Sequence, residues 1–414
     1  MPSISMMSQQ GFIGSIVLLI MLAILTSTFY ANAFNTVDPS WFNKHQVDSE
    51  NLVIHRIIDS NINGFYHNAM FLTRNSVVYV SSSGLQGSIF SSLNKVSPLT
   101  FQNNIRLFHF VNSIILSCIL VAFIAFAMNE FGLVVATSLF FGVLLSDWIV
   151  VFGRNLYWIL WSMYLPLLIV LVFSRRLFDK KERGVENIFV PFVYVSILFR
   201  SLSGYEYIST ILISMVVPFV YFGVIYRDVE RALRLILLTG CVGVLGFITA
   251  LVVHLLQLSL HYGNFELAYD KILDTVLKRT HGEPLSVDPV YANSLNANVY
   301  EVLVSYFNGY YHYFGQFGMQ MKYLILVFLV LSLFNLVLNK KERMISLALF
   351  YSLIFSILAP LSWFILAKGH SYIHTHMNHL LWNIPFNLVG FIVVGCFVQF
   401  VARQLYLSFT KSLP

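Results

Sequence analysis

Residues 235–253 read LILLTGCVGVLGFITALVV, 19 positions without a charge. A helix of that length is roughly 30 Å long, the thickness of a bilayer's hydrocarbon layer. Runs of the same kind recur on both sides of it, ten in all: 11–34, 108–128, 131–152, 155–174, 188–203, 208–226, 234–259, 323–339, 344–366 and 381–402. The fifth is the shortest, and Ser-Leu-Ser-Gly at 201–204 breaks it, so it reads either as a span or as a re-entrant segment. The first ends in Ala31-Asn32-Ala33, which resembles a signal-peptidase site. Its long apolar stretch, with no positive charge ahead of it, reads as a retained anchor.

Composition agrees with this reading. Of 414 residues, 57% are hydrophobic and 11% charged, where soluble proteins carry about a quarter charged residues. A soluble enzyme and a disordered or collagen-like chain are excluded. The expected fold is an all-α polytopic membrane protein of about ten transmembrane helices, one integral membrane domain over 1–414. Larger external segments are expected at 35–107 and 260–322, with amphipathic pieces such as 51–58 and 299–311 lying in the interface plane. Cys118, Cys241 and Cys396 all fall in apolar runs and read as small buried hydrophobes, without a disulfide or a thiolate metal cluster.

The net charge of +6 has a topological explanation. Ten spans put the loops 174–187, 227–234 and 340–343 and the tail 403–414 on one side. These carry Arg175, Arg176, Lys180, Lys181, Arg183, Arg227, Arg231, Arg234, Lys340, Lys341, Arg343, Arg403 and Lys411, 13 of the 25 basic residues. The positive-inside rule makes that side cytoplasmic, with both termini, and leaves the opposite side without net charge. Nucleic-acid binding is therefore not implied. All six tryptophans and all 12 histidines map to the outer side, which points to an outer cavity where chemistry faces outward.

Four outer stretches can carry that chemistry. Asp48 and Glu50 lie just beyond the first span; at i and i+2 they occupy different faces of a helix but can converge from a turn. They read as a general base and its partner, or as solvated loop acids. Asp147 and Arg154 sit at the outer junction of the third and fourth spans, as functional charges or as a local ion pair. Arg200, Tyr205 and Glu206 follow the fifth span; Arg200 reads as a phosphate ligand or as a structural partner of Glu206. Lys368, His370, Tyr372, His374 and His376 separate the last two spans. His370 and His374 share a helix face, but no His-Glu-x-x-His pattern is present, so hydrogen bonding to sugar and phosphate is the better reading and no metal site is assigned. In the segment 260–322, Tyr269, Asp270, Asp274 and Lys278 read as a short amphipathic helix. The aromatic run 306–314 reads as a sugar-stacking platform or a headgroup anchor. No P-loop, Rossmann glycine pattern or nucleophile elbow occurs.

This layout resembles the GT-C superfamily of polytopic membrane glycosyltransferases: a first span, a long external segment opening on acids, short-looped spans, then a second external segment. The resemblance implies an inverting transfer of sugar from a polyprenyl-phosphate donor to a surface glycan or lipid acceptor at the outer face of the cytoplasmic membrane. Among membrane lipids, no further cofactor is implied. It assigns Asp48, Glu50 and Asp147 as catalytic, Arg154, Arg200 and Lys368 as ligands of the donor phosphate, and Tyr205, Glu206, His370, Tyr372, His374 and His376 as substrate-binding. The acids stand as Asp-Ser-Glu, not as an adjacent pair. An O-antigen-type polymerase is the nearest alternative; its first external loop is usually short. A lipid-linked glycan flippase or transporter predicts midplane charge and inverted repeats, which the spans lack.

Overall fold

The computed structural model describes residues 4–75, 77–179, 184–283, 291–313 and 317–411. The protein is 81% helical, and two short antiparallel hairpins, β1–β2 (Leu72–Arg74, Val77–Tyr79) and β3–β4 (Tyr310–Tyr313, Phe317–Gln320), are its sheets among the described residues. Lys180, Lys181, Glu182, Arg183 and Phe314 lie outside the described residues, as does the side chain of Lys411.

In chain order, α1 (Ile4–Ala31) is followed by an external layer of α2 (Pro39–Lys44), α3 (Val47–Asn63) and α4 (Leu85–Val96). The bundle continues with α5 (Phe101–Phe131), α6 (Leu133–Leu144), α7 (Asp147–Phe152), α8 (Trp161–Phe178) and α9 (Val185–Ser203). Next come α10 (Ile208–Ser214), α11 (Val216–Tyr226) and the 34-residue α12 (Val229–Tyr262). A second external layer holds α13 (Phe265–Arg279), α14 (Ala292–Asn296) and α15 (Val299–Asn308). The chain closes with α16 (Met321–Leu338), α17 (Arg343–Leu366), α18 (Lys368–Ile373) and α19 (Phe386–Lys411).

Among the described residues nine helical stretches are long and apolar enough to cross a membrane. The expected span at 131–152 is the exception. It is divided into α6, 12 residues and roughly 18 Å long, and the short α7. Ser146 makes the break, because its hydroxyl caps the next helix by accepting from the Ile149 amide. The expected start of the following span is also displaced. The Asn155 side-chain oxygen accepts from the amides of Tyr157 and Trp158 at 3.0 and 3.1 Å. That local turn competes with helix, and α8 begins only at Trp161.

The basic loops share one end of the bundle. Arg175 pairs with Glu130, which also accepts from the Tyr221 hydroxyl at 3.1 Å. Arg234 reaches Glu186 at 2.6 Å, and Arg403 reaches Glu342 at 2.8 Å. These contacts tie α5 to α8 and α11, α9 to α12, and the turn before α17 to α19.

The two layers of short helices pack on the other end. Leu52, Val53 and Ile57 of α3 belong to the same buried cluster as the bundle core, and so do Val302 and Tyr306 of α15. Tyr306 stacks on Phe364 with ring centroids 3.8 Å apart. The amphipathic pieces thus bury their apolar sides against protein, where the sequence suggested a lipid interface. The tryptophans follow: Trp148, Trp158, Trp363 and Trp382 are buried, as cavity-side residues would be. The cysteines differ from expectation, since Cys118 and Cys241 are exposed on the bundle surface and only Cys396 is partly covered.

Candidate functional site

Residues 153–160 form a buried irregular loop between α7 and α8. Buried backbone must find partners, and four elements supply them. Asn112 of α5 donates to the Asn155 carbonyl at 3.2 Å, and Gln86 of α4 donates to the Tyr157 carbonyl at 3.2 Å. Glu50 of α3 accepts from the Leu156 amide at 2.9 Å. Arg200 of α9 donates to the Trp158 carbonyl at 3.2 Å. The loop is a hub on which external and spanning helices meet.

On its inner side lies a compact charge cluster. Arg200 stands 3.8 Å from Glu206, and Arg279, from the end of α13, approaches the same carboxylate at 3.4 Å. The Tyr157 hydroxyl donates to Glu206 at 3.2 Å, and Arg279 also donates to the Tyr79 hydroxyl at 3.3 Å. Burial opposes the charge of Arg279, but Tyr79, Glu206 and Tyr157 more than restore it and raise its pKa. Lys368 is buried as well, its ammonium donating to the Leu295 carbonyl at 2.6 Å, and the next amide, Gly369, donates to the Thr280 carbonyl. Two buried or mostly buried guanidiniums therefore stand at one carboxylate. Buried charge of one sign is costly unless an opposite charge meets it, so this set is suited to an anion.

Arg279 also lines a cleft of about 420 Å³ whose other walls include Tyr205, Phe247, Leu251, Ile272 and Trp363. The cleft is almost wholly apolar, with a guanidinium at its head. The Trp363 Nε1 and the Asn378 Nδ2 are buried without a protein partner.

A strip of rings runs from this head toward α7. His370 and His374 lie 4.4 Å apart and His374 and His376 5.5 Å, by centroids. His45 packs on Trp148 at 6.1 Å and on Phe152 at 4.7 Å. Burial, with the nearby His376, lowers the His45 pKa to about 4. Burial, then His376 and Arg279, lowers His374 to about 4. His370 is also held well below its ordinary value, first by burial and then by His374. These imidazoles are neutral at pH 7 and present one donor and one acceptor each, as hydroxyl recognition requires. Among the described residues no three His, Cys, Asp or Glu side chains are grouped to hold a metal ion.

The sequence-assigned residues divide. Arg200, Tyr205, Glu206, His370 and His374 come together around the cleft head, while Lys368 is buried against the Leu295 carbonyl. His376 continues the strip but is exposed, and Tyr372 is 44% exposed. Asp48 and Glu50 do not share a site. They lie in α3, so Glu50 points inward and Asp48 outward, 84% exposed and 3.0 Å from Arg74. Glu50 accepts from His109 at 3.0 Å as well as from Leu156. Burial alone would raise its pKa, but His109, the Leu156 amide and Arg154 hold it below the ordinary value. Asp147 is buried at the start of α7. Arg154 is apart from Arg200 and Lys368: it donates to the Tyr30 carbonyl and to Asn43, with its guanidinium 4.2 Å above the Phe42 ring. Sequence reasoning gave no site role to Arg279, Tyr79 or Tyr157, although Arg279 is among the charged residues of the segment 260–322 and Tyr157 lies in the stretch that runs from Asp147 to Trp158.

Fold and site together define a class, an all-α polytopic membrane protein with a polar cluster at the end opposite its basic loops. No protein-family model, no curated protein and no solved structure matches the chain.

Proposed function

We propose that the protein is an inverting membrane glycosyltransferase. It moves a sugar from a polyprenyl-phosphate donor to a surface glycan or lipid acceptor at the outer face of the cytoplasmic membrane. The observation that carries this is the placement of Arg279, beside Arg200 and Glu206, at the head of an apolar cleft. An isoprenoid chain fits the apolar walls, and its phosphate meets the guanidinium in a charge-assisted contact. The gathering of basic loops at the opposite end supports an outward-facing site.

In the proposed reaction the acceptor hydroxyl oxygen bonds to the anomeric carbon as the bond from that carbon to the phosphate oxygen breaks. The electron pair leaves with polyprenyl phosphate, whose charge Arg279 and Arg200 stabilise. The hydroxyl proton passes to a carboxylate. We give that role to Asp147, the acid buried at the start of α7; Asp48 faces solvent beside Arg74, and Glu50 serves to hold the loop before α8. The neutral imidazoles of His370 and His374 hold sugar hydroxyls between the two ends of the strip.

The test is a mass comparison of surface glycans from cells with and without the protein. An increment of one sugar residue that depends on the protein supports the proposal. Loss of long chains alone points to a polymerase. Movement of an unchanged lipid-linked glycan by the purified protein points to a flippase. Either of these results overturns it.

A further inference from the structure

A second pocket, of about 380 Å³, opens where α1 and α5 leave the apolar zone. It shares no lining residue with the cleft at Arg279. Its polar wall carries Arg106, Arg154, Asn32, Asn35 and Asn43. Arg106 is exposed and has no hydrogen bond or ion pair among the described residues. Arg154 is pre-set, held by the Tyr30 carbonyl at 3.2 Å and Asn43 at 3.0 Å. Glu50, outside the lining, interacts with Arg154 electrostatically while it accepts from His109 and Leu156. No carboxylate lines the pocket among the described residues, and Arg106 is left without an acidic partner.

Its position gives the source of the anion. Arg106 lies in the first turns of α5, a helix of 31 residues and roughly 46 Å, longer than the hydrocarbon layer needs. Immediately after it, Leu107, Phe110 and Val111 are exposed on the bundle surface. Tyr30 of α1 meets Phe110 edge-on, with centroids 5.7 Å apart. A guanidinium pair directly above an exposed apolar wall occupies headgroup level, and guanidinium forks match phosphate oxygens.

We infer that this pocket holds the phosphate of an anionic membrane lipid, whose acyl chains lie along the exposed faces of α1 and α5. The site is independent of the proposed transfer reaction. The full chain, purified in detergent, is titrated with dioleoyl phosphatidylglycerol, dioleoyl phosphatidylcholine or inorganic phosphate, and bound species are counted by native mass spectrometry. The expected result is preferential retention of phosphatidylglycerol, weakened roughly five- to tenfold in Arg106→Gln. Arg106 touches no described partner, so this variant should fold. Asn35→Asp, which puts a negative charge on the same rim, should weaken retention in the same direction. Equal retention of the two lipids, or unchanged binding in both variants, overturns the inference. So does retention of inorganic phosphate without phosphatidylglycerol, which makes the pocket a free-anion site.

Discussion

The backbone amide of Leu156 donates a 2.9 Å hydrogen bond to the carboxylate of Glu50, 106 residues earlier in the chain. This bond fastens the external helix α3 onto the buried loop before α8, and His109 joins the same oxygen at 3.0 Å. Glu50→Ala strands a buried amide and should destabilise the protein by roughly 2–3 kcal/mol. Asp48→Asn, at an exposed ion pair, should change stability by no more than about 0.5 kcal/mol. Denaturant or thermal unfolding in detergent compares the two. Equal effects would remove the latch role of Glu50. The depressed Glu50 pKa adds a pH signature: its contribution is complete at neutral pH and fades as pH falls below the ordinary carboxylate range.

Arg279 should matter most to donor binding. Arg279→Gln is expected to weaken donor recognition by roughly 10- to 100-fold, the range of one lost charge-assisted hydrogen bond. Arg279→Lys keeps the charge without the fork and should recover part of it. Transfer kinetics at varied donor concentration check this. An unchanged donor KM in the Gln variant would remove Arg279 from the donor site.

The apolar cleft should select for chain length. Leu251 lines its wall, and Leu251→Trp narrows it. Donors with long isoprenoid chains should lose affinity while a short-chain analogue is little affected. Parallel losses for both would show that the chain lies elsewhere.

Acid should loosen the end of the bundle that carries these histidines. Unfolded imidazoles protonate near pH 6.5, whereas folded His45 and His374 resist to about 4. Between those values the unfolded state binds more protons, so stability falls as pH drops through this window. The slope for His45 is at most about 1.4 kcal/mol per pH unit, less for its partial exposure. Melting temperatures from pH 7 to 4 should decline, and His45→Gln should flatten the decline. A flat wild-type profile would contradict the buried neutral imidazoles.

Apolar length made the bundle legible in advance. A run such as 235–253 has one economical environment, and its length matches the bilayer. The Arg200–Glu206 pair was legible too, because only five residues separate them and one is Gly204. Two boundaries were not legible, those at Ser146 and Asn155. There, side chains hydrogen-bond neighbouring amides and override apolar composition. The acids Asp48 and Glu50 were ambiguous because convergence or divergence depended on whether the segment was a turn or a helix. In α3, positions i and i+2 lie about 200° apart, so the two carboxylates separate.

The sequence by itself determined the membrane class, nine of its ten expected spans and the gathering of basic residues in short loops. These depend on composition, window by window, and each window is judged without knowledge of the others. Only the tertiary structure decided that Arg279 joins Arg200 at Glu206 while Arg154 leaves for a second pocket beside α1. Those meetings follow from how the helices pack and from which buried backbone groups need partners, and a local reading contains neither.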